Sequence, residues 1–286
     1  MHPFHHLTPA TLPEALAILA QHNGEAKVIA GGSDLVLQMR NGLIAPQTIV
    51  NIKRLPELKG LHYDPQSGLR IAALTTLREL HRSPLVRQHY PALSHAAGRM
   101  ASEQIRAFAT VGGNLCNGSP SADTAPPLIA MQAAIRLVSQ HGEREMPLES
   151  FFLGPGQTAL RPGELLKEIR LPPPTGHTIF IKHIPRAFMD ISIVCTAIRL
   201  LIEDGRCTDA RIVLGAVAPT PMRPRQAENA LLERGLTPAA IAQAADLAAR
   251  ESRPIDDEKS SAWYRKRMVK VVVQRGLESL LETVSA

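Results

Sequence analysis

Apolar positions near the start of the chain follow a helical period. Leu12, Ala15, Leu16 and Leu19 recur at i, i+3, i+4 and i+7, the spacing that gathers one helix face against a core. Thr11-Leu12-Pro13-Glu14 has the capping-box form, in which Thr and Glu satisfy free N–H groups reciprocally, and Asn23-Gly24 supplies a stop. The short apolar run Val28-Ile29-Ala30 then predicts a buried strand, Gly31-Gly32 a tight turn, and Ser33-Asp34 the cap of a helix carrying Leu35, Val36 and Met39. Ile49-Val50-Asn51-Ile52 predicts the next strand, so the opening segment reads as a small β–α–β unit.

From Gly60 the pattern changes to hairpins. Leu61-His62-Tyr63 and Leu69-Arg70-Ile71 flank a turn at Asp64–Gly68. A second capping box stands at Thr76–Glu79, and an alanine-rich helix follows Tyr90-Pro91 and ends near Met100. Residues 110–127 are dense in Gly, Ser, Asn and Pro and read as an ordered functional loop. Ala134–Val138 and Glu143–Met146 form another hairpin, and Leu165–Leu171 a further strand. Pro172-Pro173-Pro174-Thr175-Gly176 continues neither strand nor helix and marks the main boundary. Beyond it, strands are predicted at 178–184, 193–202 and 210–218, the last two joined by an Asp204-Gly205 turn. Helices are predicted at 225–234, 238–250 and 261–282, the last with Tyr264, Met268, Val271 and Val272 on one face. Three units result: 1–58, 59–174 and 177–286.

Composition changes this picture in three places. A chain of 286 residues with 44% hydrophobic residues can bury roughly 75% of its unfolded surface without disulfides or metal. Aromatic residues are only 3%, so a flat cofactor would be covered by aliphatic side chains and peptide groups. The three cysteines, Cys116, Cys195 and Cys207, have no CxxC spacing. That argues for a reducing, cytoplasmic location and against a zinc or iron–sulfur site made by this chain alone. The net charge of +6 includes the run Arg265-Lys266-Arg267, with Arg253 and Lys270 nearby. No aromatic residue interrupts the run for base stacking, which leaves a solvated surface or a subunit contact rather than nucleic-acid binding. Met1-His2-Pro3-Phe4-His5-His6 has no secretory apolar region and reads as a flexible polar start rather than a metal site. No apolar run reaches the ~20 residues needed to span a bilayer.

Candidate chemistry lies in two glycine-rich segments. In Val28-Ile29-Ala30-Gly31-Gly32-Ser33-Asp34-Leu35, consecutive glycines let backbone N–H groups converge on an oxyanion. The following helix N-terminus adds about half a positive charge. Alone, a diglycine turn is equally consistent with a tight strand-to-helix turn. Neither GxxxxGK[ST] nor GxGxxG occurs at this turn. The second segment, Thr110-Val111-Gly112-Gly113-Asn114-Leu115-Cys116-Asn117-Gly118-Ser119-Pro120-Ser121-Ala122-Asp123, carries another diglycine and a series of short polar side chains. Two such turns can enclose a diphosphate between them. Asp123 reads either as a helix cap or as an acceptor for ribose hydroxyls.

These two segments, AGGSDL and TVGGNLCNGSPSADTAP, resemble the FAD-contacting loops of the flavin subunits of molybdenum hydroxylases, the family of carbon monoxide and xanthine dehydrogenases. The resemblance extends through the start of the chain, an R-x-x-M-D-I segment at Arg186–Ile191, and the final helix at Tyr264–Arg267 with Val271–Arg275. It implies an α+β fold of the vanillyl-alcohol-oxidase (PCMH-type) class. Subdomains 1–58 and 59–174 would bind FAD, and a C-terminal flavoprotein domain, 177–286, would consist of a three-stranded antiparallel sheet and a helical bundle. It further implies a heterotrimer, or a dimer of heterotrimers, with a molybdopterin-binding large subunit and a small [2Fe–2S] subunit. FAD would pass their electrons to an external acceptor. By the same resemblance Val28, Ile29, Ala30, Gly31, Gly32, Ser33, Asp34, Leu35, Thr110, Gly112, Gly113 and Asn114 hold the diphosphate and ribityl parts, with Cys116 and Ser119 beside them. Asp123 touches the adenosine side, and Leu160 and Lys182 fall at further flavin-contact positions; Lys182 reads either as a solvated strand lysine or as a cation near the flavin pyrimidine edge. No metal ligand is implied, and no catalytic residue.

Cys116 departs from the family, which commonly has an aliphatic residue there, and is expected to behave as a small apolar side chain. An alternative is a self-contained flavin oxidoreductase of the same fold, for which His183 is the only nearby acid or base. A second is a basic RNA- or partner-binding protein that has lost FAD, against which the retained glycines and Asp123 weigh.

Overall fold

The computed structural model describes residues 2–186 and 189–285, so Ala187 and Phe188 of the R-x-x-M-D-I segment lie outside the described residues. The first part comprises β1 (His5–Leu7), α1 (Leu12–Gln21), β2 (Lys27–Ile29), α2 (Ser33–Arg40) and β3 (Thr48–Asn51). Its sheet is parallel, in the order β1-β3-β2. The N-terminal residues are therefore not a loose start: His5–Leu7 pair with Thr48–Val50. Thr11 caps α1 by accepting the Glu14 amide (3.3 Å), while the Glu14 carboxylate accepts from Ala10 rather than from Thr11, at 2.7 Å. At Thr76 and Glu79 both arms of the capping box form.

The second part runs β4 (Leu61–Asp64), β5 (Gly68–Ala72), α3 (Leu77–Arg82), α4 (Pro84–His89), α5 (Pro91–Gly98), α6 (Glu103–Arg106), α7 (Val111–Cys116), α8 (Ala125–Ala130), β6 (Ala134–Ser139), β7 (Gly142–Pro147), the short pair β8 (Phe152–Gly154) and β9 (Gln157–Thr158), and β10 (Leu165–Leu171). Its five-stranded antiparallel sheet has the order β4-β5-β10-β6-β7. Residues 110–127, expected as a loop, hold two short helices instead. α7 closes over buried Val111 and Leu115, and α8 places its two prolines in the first turn, where a missing N–H costs nothing.

The third part is an antiparallel sheet, β11 (His177–His183), β12 (Val194–Glu203) and β13 (Arg206–Gly215), followed by α9 (Arg225–Arg234), α10 (Pro238–Glu251) and α11 (Ala262–Ser285). β12 is buried on both faces. Val194, Ile198 and Leu200 pack toward α9–α11, while Cys195 and Ala197 join Phe180 in the core of the five-stranded sheet. Burial on both faces explains why the strand reads as a continuous apolar run. On α11 the packed stripe is Val269, Val272, Val273, Leu277 and Leu280. Tyr264, expected on that face, is 36% exposed. The core around α1 takes in Val138 and Leu165 from the second sheet and Leu74 from the turn after β5, so the first sheet is tied to the second and the second to the third.

Candidate cofactor site

A cavity of about 700 Å³ opens where these parts meet. Its size lies within the range usual for ligand pockets. Every residue expected to contact FAD lines it except Ile29. The Ile29 side chain turns toward Gly32, its Cδ1 lying 3.1 Å from where a Cβ would stand.

The first loop is built by close approach. A Cβ on Gly31 would lie 2.3 Å from the Phe108 carbonyl oxygen and 2.9 Å from Ala109 Cα, so only glycine lets this loop rest on the chain just before Thr110. Gly32 has φ +87°, a left-handed conformation that favours glycine, and it caps α2 in place of the expected Ser33-Asp34. No side chain caps this helix, and among the described residues the amides of Ser33, Asp34 and Leu35 find no acceptor. The start of α2 thus presents unpaired donors and the positive end of its dipole to the cavity, a ready anion site.

The second loop works differently from the sequence expectation. Its amides are already committed: Val111 donates to the Thr75 carbonyl (2.9 Å), Gly112 to the Ala73 carbonyl (3.0 Å), and Gly113 to Thr110 Oγ1 (3.0 Å). A Cβ on Gly112 would stand 2.6 Å from the Ala73 oxygen, so the absence of a side chain there lets the loop pack against residue 73. What the loop offers the cavity is side chains. Thr124 donates to Asn114 Oδ1 at 2.6 Å, which fixes the amide and leaves its NH2 group without an acceptor among the described residues. Ser119 and Cys116 also reach the wall. Burial pushes the Cys116 thiol up to about 12, which keeps it neutral and supports its role as a small apolar group.

Asp123 does not cap α8. Its carboxylate accepts from Lys182 Nζ at Oδ2 (2.7 Å) and from Ser192 Oγ at Oδ1 (2.5 Å), and Lys182 also donates to the Arg99 carbonyl at 3.2 Å. Asp123 and Lys182 were expected at the adenosine and flavin ends of one ligand. At 2.7 Å they address the same part of the cavity, so the two assignments cannot both hold for an extended FAD. Ser192 escaped the sequence reading. It lies in the connection from β11 to β12, and nothing in its local pattern marks it.

Leu160 lines the cavity beside Glu164, which Arg144 grips through Nε (2.6 Å) and Nη2 (2.7 Å). Burial raises Glu164, but these bonds and the Arg161 amide outweigh it and hold the carboxyl below its usual range. Leu74, Leu77, Ile105, Leu165 and Leu166 complete an aliphatic wall, and among the described residues no aromatic or histidine ring lines it. His183 points the other way along β11 and meets the Tyr264 hydroxyl at 3.1 Å. Among the described residues no group of three or more His, Cys, Asp or Glu is placed to hold a metal ion, and no helix is long and apolar enough to cross a membrane. A second cavity, of about 400 Å³, lies along residues 172–179 and contains none of the predicted residues.

The unpaired amides of α2, the Asn114 amide, the buried cation and the aliphatic wall fit a large, flat, diphosphate-bearing ligand such as FAD. Comparison with known proteins agrees. The family described as FAD binding domain in molybdopterin dehydrogenase matches residues 2–174, and that described as CO dehydrogenase flavoprotein C-terminal domain matches residues 179–280. The chain is 32% identical over 269 residues to the xanthine dehydrogenase FAD-binding subunit of Escherichia coli O157:H7, covering 93% of this chain and 92% of the relative. It is 32% identical over 277 residues to the carbon monoxide dehydrogenase medium chain of Hydrogenophaga pseudoflava, covering 96% of each. A chain in the solved structure of carbon monoxide dehydrogenase from Hydrogenophaga pseudoflava lacking the Mo-pyranopterin moiety of its cofactor superposes with a TM-score of 0.94 at 32% identity, covering 98% of each chain.

Proposed function

The chain belongs to the family of FAD-binding subunits of molybdopterin dehydrogenases, and from that premise we propose that it is the electron-transfer subunit of a heteromeric molybdenum hydroxylase. In this reading it takes electrons from the [2Fe–2S] clusters of a small partner subunit and passes them to an external acceptor. Hydroxylation belongs to a molybdopterin-binding large subunit, and the whole works in the cytoplasm as a heterotrimer or a dimer of heterotrimers. The observation that carries the reading is the composition of one cavity: among the described residues, helix-start amides without an acceptor and a buried Lys–Asp pair share it, and no histidine lines it for substrate chemistry.

Bound FAD supplies the redox centre between donor and acceptor. The chain's own residues do the rest. The amides of residues 33–35 and the dipole of α2 would meet the diphosphate. The Asn114 NH2 group would donate to the ligand from the opposite loop. The aliphatic wall, with Leu160, excludes water, and the Lys182 ammonium favours the more negative, reduced state of whatever lies against it.

The self-contained alternative loses its one candidate, because His183 faces Tyr264 rather than the cavity. Purifying a tagged copy from its host tests the proposal. One FAD per chain, together with molybdopterin and [2Fe–2S] subunits, is the expected result. A lone chain that turns over a substrate by itself would contradict it.

A further inference from the structure

We infer that Ser192 is a positioning residue for the electron-carrying site, acting through Asp123 to set how much of the Lys182 charge the cavity feels. The inference rests on the FAD reading given above. Ser192 is 1% exposed and absent from the cavity wall, so it does not touch a ligand directly. Its hydroxyl donates to Asp123 Oδ1 at 2.5 Å, and Asp123 Oδ2 accepts from Lys182 at 2.7 Å. Both oxygens of the carboxylate are thereby occupied by groups from the connection to β12 and from β11, although Asp123 itself stands before α8. The three side chains join the second and third sheets at the cavity wall, where Asp123 and Lys182 both appear.

Burial decides why one hydroxyl matters here. The Lys182 and Asp123 side chains are 2% and 4% exposed, and a charge in such surroundings is neither hydrated nor screened as it would be at the surface. Ser192 shares the negative charge of Asp123 and draws it to the side away from Lys182. The Cys195 thiol, opposite Lys182 in the β11–β12 register, also reaches Asp123 but is a poor replacement for the hydroxyl. Burial first, and then the neighbouring Asp123, push its thiol well above the usual range, and a thiol is a weak donor. Without the Ser192 hydroxyl, the whole carboxylate charge falls on Lys182 and on the cavity. A reduced, more negative ligand is then disfavoured.

The test is the midpoint potential of FAD bound to the full chain, in Ser192→Ala and in Ser192→Cys, a weaker donor of similar size. Ser192→Ala is expected to shift the reduction equilibrium at least threefold toward the oxidised form, about 14 mV for a two-electron couple. Ser192→Cys should shift it less, in the same direction. In a Lys182→Met background the Ser192→Ala shift should vanish, since it acts through that ammonium. An unchanged potential in both Ser192 variants with FAD bound overturns the inference, as does a shift that persists without Lys182. Absence of FAD from the unmodified chain is a different failure and counts against the FAD reading itself.

Discussion

Lys182 and Asp123 form an ion pair of 2.7 Å across 59 positions of sequence, with both side chains almost wholly enclosed. Removing one member of a buried pair leaves the other uncompensated, at a cost of about 3–5 kcal/mol. Lys182→Ala should therefore lower stability by that order in denaturant unfolding. If the ammonium also answers the charge of the reduced flavin, the same variant lowers the potential. The loss of one charge-assisted bond, about 1.5–3 kcal/mol, corresponds to roughly 30–60 mV for a two-electron couple. An unchanged potential with FAD fully bound would remove Lys182 from the electron-transfer account.

Gly31 tests the contact between the two loops. Alanine there puts a Cβ 2.3 Å from the Phe108 oxygen, and backbone cannot give way as a flexible side-chain end can. Gly31→Ala should cost about 1–3 kcal/mol of stability and weaken FAD binding by about tenfold or more, as 1.4 kcal/mol of lost affinity would. Unaltered affinity, measured by titrating FAD into the cofactor-free variant, would show that the loop spacing does not shape the site.

Cys116 is predicted to be chemically quiet. With its thiol held at about 12, almost none is thiolate at pH 8, and thiolate is the reactive form. Alkylation of native protein should be far slower at Cys116 than after unfolding, and Cys116→Ala should leave the flavin potential where it was. Rapid labelling of the native thiol would reverse this assignment.

Acid stability should depend on Glu164. Its carboxyl is held below the ordinary range in the folded state by the Arg144 and Arg161 bonds, despite the upward push of burial. A depressed folded value means that the stabilisation is present above the unfolded value, about 4.3, and is lost as pH falls through the folded one. The stability difference between the unmodified chain and Glu164→Gln should therefore be largest at pH 7 and shrink by pH 3. A gap that does not change with pH would mean that the carboxylate charge is not what Arg144 holds.

Much of the fold was legible where burial and period coincide. Leu165–Leu171 appears at its predicted bounds because it is the central strand of its sheet and its apolar side chains are all buried. The β12–β13 hairpin follows from an apolar run and an Asp-Gly turn whose residues adopt positive φ. β1 escaped because its pairing is carried by the backbone, while the side chains of His5 and His6 stay exposed and leave no apolar signal. α7 escaped because Gly-Gly argues against helix locally, and packing of Val111 and Leu115 overrides it; a helix after Asp123 is one of two readings of the sequence, and α8 forms there with Thr124 rather than Asp123 at its cap.

The site was legible as two segments but not as a mechanism of binding. The diglycines look alike in sequence. Only their surroundings separate an open set of amides at residues 33–35 from a closed set at 111–113. The meeting of Asp123, Lys182 and Ser192 depends on how two sheets pack, which no local spacing encodes.

Electron entry is the most direct test of the account. The FAD-loaded chain, oxidised, is mixed rapidly and without oxygen with its reduced [2Fe–2S] partner subunit while the flavin absorbance is followed. The account predicts that the flavin bleaches as the clusters reoxidise, and that a cofactor-free chain leaves the clusters reduced. Clusters that stay reduced beside a fully oxidised, fully bound flavin would contradict it.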